Sequence, residues 1–256
     1  MQKRKLGLVV LFAALVFAGI NGCQRAPKTE PDDRFDLGKL KTPATYYYQM
    51  QDTMQVYGKM KQELNRVSED GRDLIKIDFD IYGGVSGETE LRFDANSGAM
   101  VSMISTQEFR GQTMHNNSYY EQDQVTRIMD TPMKATRDTL HTTIPPHTYD
   151  WMQASFLIQT MDLASMVGDT TQMTFYQGFG RAFVDTADVT VVGRGALTVP
   201  AGDFDAFHVH LDFHDSQADF YIQADGDGKV LKHVVPSQGG GLETVLIPDS
   251  LGMQEE

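Results

Sequence analysis

The sequence predicts a mainly β protein, an antiparallel meander that forms an incomplete (half) barrel with one amphipathic helix packed on or in it. Three observations carry this prediction. Short runs of period-two alternation recur along most of the chain, turn residues separate them, and one stretch abandons alternation for a helical spacing.

The chain opens with a basic cap, Lys3, Arg4 and Lys5, and an apolar run of fifteen residues from Leu6 to Ile20. As a helix at ~1.5 Å per residue this covers roughly 22 Å, short of a hydrocarbon core of about 30 Å, so residues 1–22 read as an export signal. Asn21, Gly22 and Cys23 follow, and Cys23 is the only cysteine. A lone cysteine forms no intramolecular disulfide, which calls for another use in an exported protein. The stretch INGC resembles a bacterial lipobox, which implies that Cys23 is acylated, becomes the new N-terminus and holds the chain to a membrane. By the same resemblance Gln24, in place of aspartate, implies an outer-membrane location facing the periplasm. Several acyl chains anchor firmly, since each buried CH₂ contributes about 0.8 kcal/mol.

Loss of Lys3, Arg4 and Lys5 with the signal takes the net charge from −13 to −16. Such a chain is repelled by nucleic acid, which is excluded as a partner. Residues 23–45, with three prolines and many charges, read as a lipidated N-terminus and flexible tether. Residues 46–249 suit a single β-rich domain, and 250–256 form a tail.

Within the domain, DLIKIDFDIY sets Ile75, Ile77, Phe79 and Ile81 against Leu74, Lys76, Asp78 and Asp80. That alternation predicts one buried face and one wet face. The runs around it, from QVYGKMKQEL to TMHNNSYYEQDQVTRIM, are joined by SEDGR, GGVSG, ANSG and RGQ. From Tyr149 to Val167, Met152, Phe156, Ile158 and Met161 with Leu157 and Leu163 recur at spacings of three to five. This predicts a helix with Asp150 as its N-cap and Gly168 as its stop, covering the apolar face of the sheet. Strands then resume, joined by PAGD and DGDG.

In FHVHLDFH, period two places Phe207, Val209, Leu211 and Phe213 on one face and His208, His210, Asp212 and His214 on the other. The stretch is a strand first. Its histidines lie about 7 Å apart along one side, so a metal site needs further ligands from neighbouring strands, with Asp219 and His233 as candidates. A solvated sheet face, or a pH-sensitive wall, uses the same residues without a metal.

The segment GRGALTVPAGDFDAFHVHLDF, followed by ADFYIQADGDGKVLKHVVPSQGGGLETVLI, resembles exported bacterial proteins grouped as a domain of unknown function. Val199, Pro200, Ala201, Gly202, Phe204 and Asp205 carry the match, together with the upstream Gly168–Asp169 turn. The resemblance covers roughly residues 150–247. It implies an incomplete antiparallel barrel on a helix, similar to periplasmic lipoprotein carriers that hold acyl chains in such a concavity.

No HExxH, GxSxG or cysteine nucleophile is present, so the expectation is a protein that is not an enzyme and uses no cofactor, with a hydrolase as the weakest reading. The leading expectation is non-catalytic binding of a hydrophobic ligand, a lipid or an envelope protein in a trough between sheet and helix. Trp151, Phe156, Phe175, Tyr176 and Tyr221 are the expected lining. The alternative is metal binding by His208, His210 and His214.

Overall fold

The computed structural model describes residues 32–84, 86–109, 111–130, 137–178, 182–235 and 241–251. Cys23 and the export signal lie outside these residues. The first half of the chain supplies β1 (Ala44–Gln51), β2 (Val56–Glu69), β3 (Arg72–Gly83), β4 (Ser86–Asp94), β5 (Met100–Phe109), β6 (Gln112–Tyr120), β7 (Gln124–Asp130) and β8 (Asp138–Thr143). The second supplies β9 (Thr148–Asp150), β10 (Thr170–Gln177), β11 (Phe183–Val199), β12 (Gly202–Asp212), β13 (Gln217–Gln223), β14 (Val230–Val235) and β15 (Leu242–Ile247).

All of these strands belong to one 15-stranded sheet, in which two sequential meanders meet where β15 pairs with β1. Every pairing is antiparallel except β9 with β10. β8 and β9 therefore stand at opposite edges of the sheet, yet only residues 144–147 join them. That connection spans less than about 19 Å at 3.8 Å per Cα step, so the sheet must curl until its edges approach each other. It does not close, because no ladder joins β8 to β9 among the described residues. Side chains bridge the gap instead. The Tyr120 hydroxyl on β6 donates to the carboxylate of Asp150 at the end of β9, and the Tyr120 and Tyr176 rings meet edge to face at 5.9 Å.

Alternation sorts most positions as the sequence predicts, but on β3 Leu74, expected on the wet face, is buried, and Ile81, expected on the covered face near the strand's end, is half-buried. Ile75, Ile77 and Phe79 on β3, Phe207, Val209 and Leu211 on β12, and Phe213 just past its end are buried in one core. Each such side chain contributes about 1.5–3 kcal/mol on burial.

Two expectations change. The segment after Asp150 is helical only as a 3-10 turn, Trp151–Gln153, and one short helix, α1 (Ala154–Ile158). Asp150 does cap it, accepting from the Met152 N–H at 2.7 Å. Beyond α1 the hydroxyls of Thr160 and Ser165 donate to the Leu157 and Asp162 carbonyls at 2.7 and 2.9 Å, competing with helix continuation. Met161 and Leu163 are still buried, so their spacing reports one covered side of an irregular strap. The described part of the predicted tether also packs. Leu37 and Leu40 join the core, Phe35 meets Tyr149 edge to face at 5.4 Å, and the Asp36 N–H donates to the Thr160 carbonyl at 3.2 Å.

Candidate functional site

The expected ligand-lining residues fall into two places. Phe156, Phe175 and Tyr176 are fully buried. Half-buried Trp151 meets Phe175 and Phe213 edge to face at 5.9 and 5.4 Å, and stands 6.0 Å from Phe220 and 6.0 Å from His233. These aromatic rings pack on one another where the trough was expected. Tyr221, on the opposite face of β13, borders an open groove.

The histidine row also divides. His208 Nε2 and His210 Nδ1 both approach Asp219 Oδ1, at 2.7 and 2.9 Å, so a single carboxylate oxygen bridges two imidazoles. Burial alone would raise the Asp219 pKa, but the two histidine hydrogen bonds outweigh it and hold the carboxyl below its ordinary value. His214 stands at the exposed end of the row, 3.8 Å from Asp215. His233 does not join them. Register pairs it with Phe220, one position past Asp219, and turns it to the opposite face. There it stacks on Phe220 at 4.3 Å, its Nε2 has no partner, and burial pushes its pKa down to about 4. Among the described residues no three His, Cys, Asp or Glu side chains gather as a metal would require.

A second buried ionisable group lies at the gap in the sheet. Burial raises Asp150 to about 6, although the Tyr120 hydroxyl and the Met152 N–H both stabilise its charged form. Nearby, buried Arg127 donates from Nε to Asn116 Oδ1 at 2.8 Å.

The groove beside Tyr221 has a volume of about 250 Å³ and is formed by residues 192–197 of β11 with Ala206, His208 and Tyr221. Its floor follows from register. Gly193 pairs with His208 and Gly195 with Ala206, while His208 pairs in turn with Tyr221. These positions therefore share one face of the sheet. A Cβ added at Gly193 or Gly195 would meet nothing within 4 Å, so two missing side chains create the hollow. One wall is the His208–Tyr221 stack, with rings 4.7 Å apart and 6° from parallel. The other end is apolar, where Leu197, Ala201 and Phe204 pack against a small cluster of Tyr48, Val199, Ala206, Leu231 and Leu246. Sequence analysis did not single out Gly193 and Gly195. The available signal was their separation by two, which leaves consecutive positions of one strand face empty.

A family model described as "Protein of unknown function (DUF3108)" matches residues 45–245. None of the curated proteins matches the chain in sequence. Among solved structures, a Bacteroides fragilis protein described as exported, with a YmcC-like fold, aligns at a TM-score of 0.35 and 7% identity. That alignment covers 81% of this chain and 95% of the other. A Parabacteroides distasonis protein described as a lipoprotein aligns at a TM-score of 0.33 and 12% identity, with the same coverage of 81% and 95%.

Proposed function

The chain belongs to the DUF3108 family, and from that premise we propose that it acts as an exported, lipid-anchored envelope protein that binds an apolar group without transforming it. The anchor is Cys23, at the outer membrane facing the periplasm, and the support for it is the INGC stretch after the apolar run. The binding place is the groove over Gly193 and Gly195. A single contrast carries this reading: the aromatic side chains inside the curl pack on each other, whereas the hollow beside Tyr221 is open and walled by an aromatic stack and Leu197. At about 250 Å³ it suits a small aromatic group or a short chain segment, since whole small-molecule sites run to roughly 300–1,000 Å³.

Two experiments test this. A labelled fatty acid should attach to the expressed protein and not to its Cys23→Ser variant. For the groove, the unacylated Cys23→Ser chain is titrated with phenylnaphthylamine, a neutral apolar fluorophore. One site per chain is expected, with at least tenfold weaker binding in Gly195→Val, because the added side chain enters the hollow without a backbone clash. Equal binding by both proteins, or none by either, overturns the reading.

A further inference from the structure

β11 is much longer than the neighbour on its outer side. It has 17 residues against the eight of β10, whose pairing covers only Phe183–Thr190. At Val191 the segment after α1 takes over, with the Gly168 N–H donating to the Val191 carbonyl and the Val191 N–H to the Asp169 carbonyl. A bulge then interrupts the register between Val191 and Gly193. From Val192 to Val199, β11 pairs only with β12, and among the described residues no backbone hydrogen bond reaches its other edge. This leaves about 26 Å of open strand edge. Val192 is 52% exposed, and Arg194, Ala196 and Thr198 are exposed as well.

The hairpin decides which groups face outward. Its turn is Pro200–Ala201, and Val199 pairs with Gly202 across it. A two-residue turn makes that flanking pair a hydrogen-bonded one, and hydrogen-bonded and non-bonded pairs alternate along the ladder. Leu197, Gly195 and Gly193 therefore turn their N–H and C=O groups to β12. Thr198, Ala196 and Arg194 present theirs to the open edge. Natural edges are ordinarily blocked by inward charges, prolines or a covering element. This one has two glycines in its middle, and the groove runs beside them.

Resting on the binding reading above, we infer that residues Val192–Val199 are a docking edge for an extended polypeptide segment of another protein, which adds as an antiparallel or parallel strand. The groove over Gly193 and Gly195 takes its apolar side chains. The opposite face sets the other half of the pattern. There Arg194 is already held by Asp205 at 2.7 Å and Asp225 at 3.4 Å, and Asp203 accepts from Thr198, so carboxylates outnumber cations around the edge. The segment that fits carries apolar residues alternating with lysine or arginine. The net charge of −16 left after loss of the signal favours a basic partner at longer range as well.

The test selects ten-residue peptides from a displayed random library on the unacylated chain and on its Ala196→Pro variant. Proline at an outward position deletes one edge donor without removing a bond to β12. Peptides alternating apolar and basic residues are expected from the wild-type target. A synthesised winner should bind the proline variant at least tenfold more weakly and slow amide exchange at Arg194, Ala196 and Thr198. No enrichment, equal binding to the variant, or protection elsewhere overturns the inference. Protection of those amides that grows with protein concentration in the absence of peptide makes a second copy the occupant and also overturns it. Should the variant fail to fold, the exchange footprint on the wild type decides alone. Phenylnaphthylamine binding separates the two readings: a groove that binds the fluorophore beside an edge that binds no peptide removes only the strand-docking inference.

Discussion

His233 and the pair His208/His210 lie on adjoining strands of one sheet, and the face each occupies decides what the imidazole does. On the covered face His233 stacks on Phe220 at 4.3 Å, with the tilted Trp151 ring 6.0 Å away, and its Nε2 has no hydrogen-bond partner. On the open face His208 and His210 share Asp219. Burial without a partner penalises charge on His233, whereas on the half-exposed face the hydrogen bonds from the two imidazoles hold the Asp219 carboxyl below its ordinary value. The covered face is thus a packing surface, and the open face keeps the chemistry and Tyr221, which borders the groove.

The largest effect should come from breaking the covered face. Trp151→Ala removes the ring that meets Phe175, Phe213 and Phe220, and should cost about 3 kcal/mol in urea denaturation while leaving the Asp219 hydrogen bonds in place.

Acid sharpens the comparison, because His233 and Asp150 act in opposite senses. His233 has a folded value of about 4 against an ordinary 6.5, so the unfolded chain takes up the proton first. It therefore costs stability as pH falls from 6.5 to 4, about 3 kcal/mol in all. Asp150 has a folded value of about 6 against 3.8, so its stabilising effect is complete below 3.8 and lost as pH rises through 6. Acidification over that window returns about 3 kcal/mol. The wild type should consequently change little between pH 6.5 and 4. His233→Phe should gain stability on acidification and Asp150→Asn should lose it, as measured by denaturant titration at several pH values. Parallel curves for all three proteins would contradict the assignment.

The open face should respond more weakly. Asp219→Asn should cost about 1 kcal/mol at neutral pH, since its partners are half-exposed and screened, and should shift the His208 and His210 ring resonances together. In the wild type the depressed Asp219 contributes stability that is present above 3.8 and fades as pH falls below it. The smallest effect belongs to Gly195→Val, which should change stability by less than about 1 kcal/mol because its new side chain meets open space in a strand.

Much of the fold was legible because alternation is a direct consequence of a sheet with one covered face. Ile75, Ile77 and Phe79 and the two sides of FHVHLDFH are sorted by it. His233 was offered as a partner of the histidine row, although the adjacent Lys232 already marks the wet face of β14 and alternation therefore turns His233 to the covered one. The strap after Asp150 misled for another reason. Apolar spacing marks which side of a segment is covered, and the irregular turns in which Thr160 and Ser165 bond carbonyls three residues back keep that spacing without a continuous helix. The groove and the open edge depend on where β10 ends relative to β11, a long-range register that local residues do not encode.

The most direct measurement is amide hydrogen exchange of the unacylated chain with and without phenylnaphthylamine. Binding on the open face predicts slowed exchange within residues 192–197 and 206–208, with Trp151–Ile158 and Met173–Tyr176 unchanged. Slowing confined to Trp151–Ile158 and Met173–Tyr176 would place the ligand inside the curl and contradict the account.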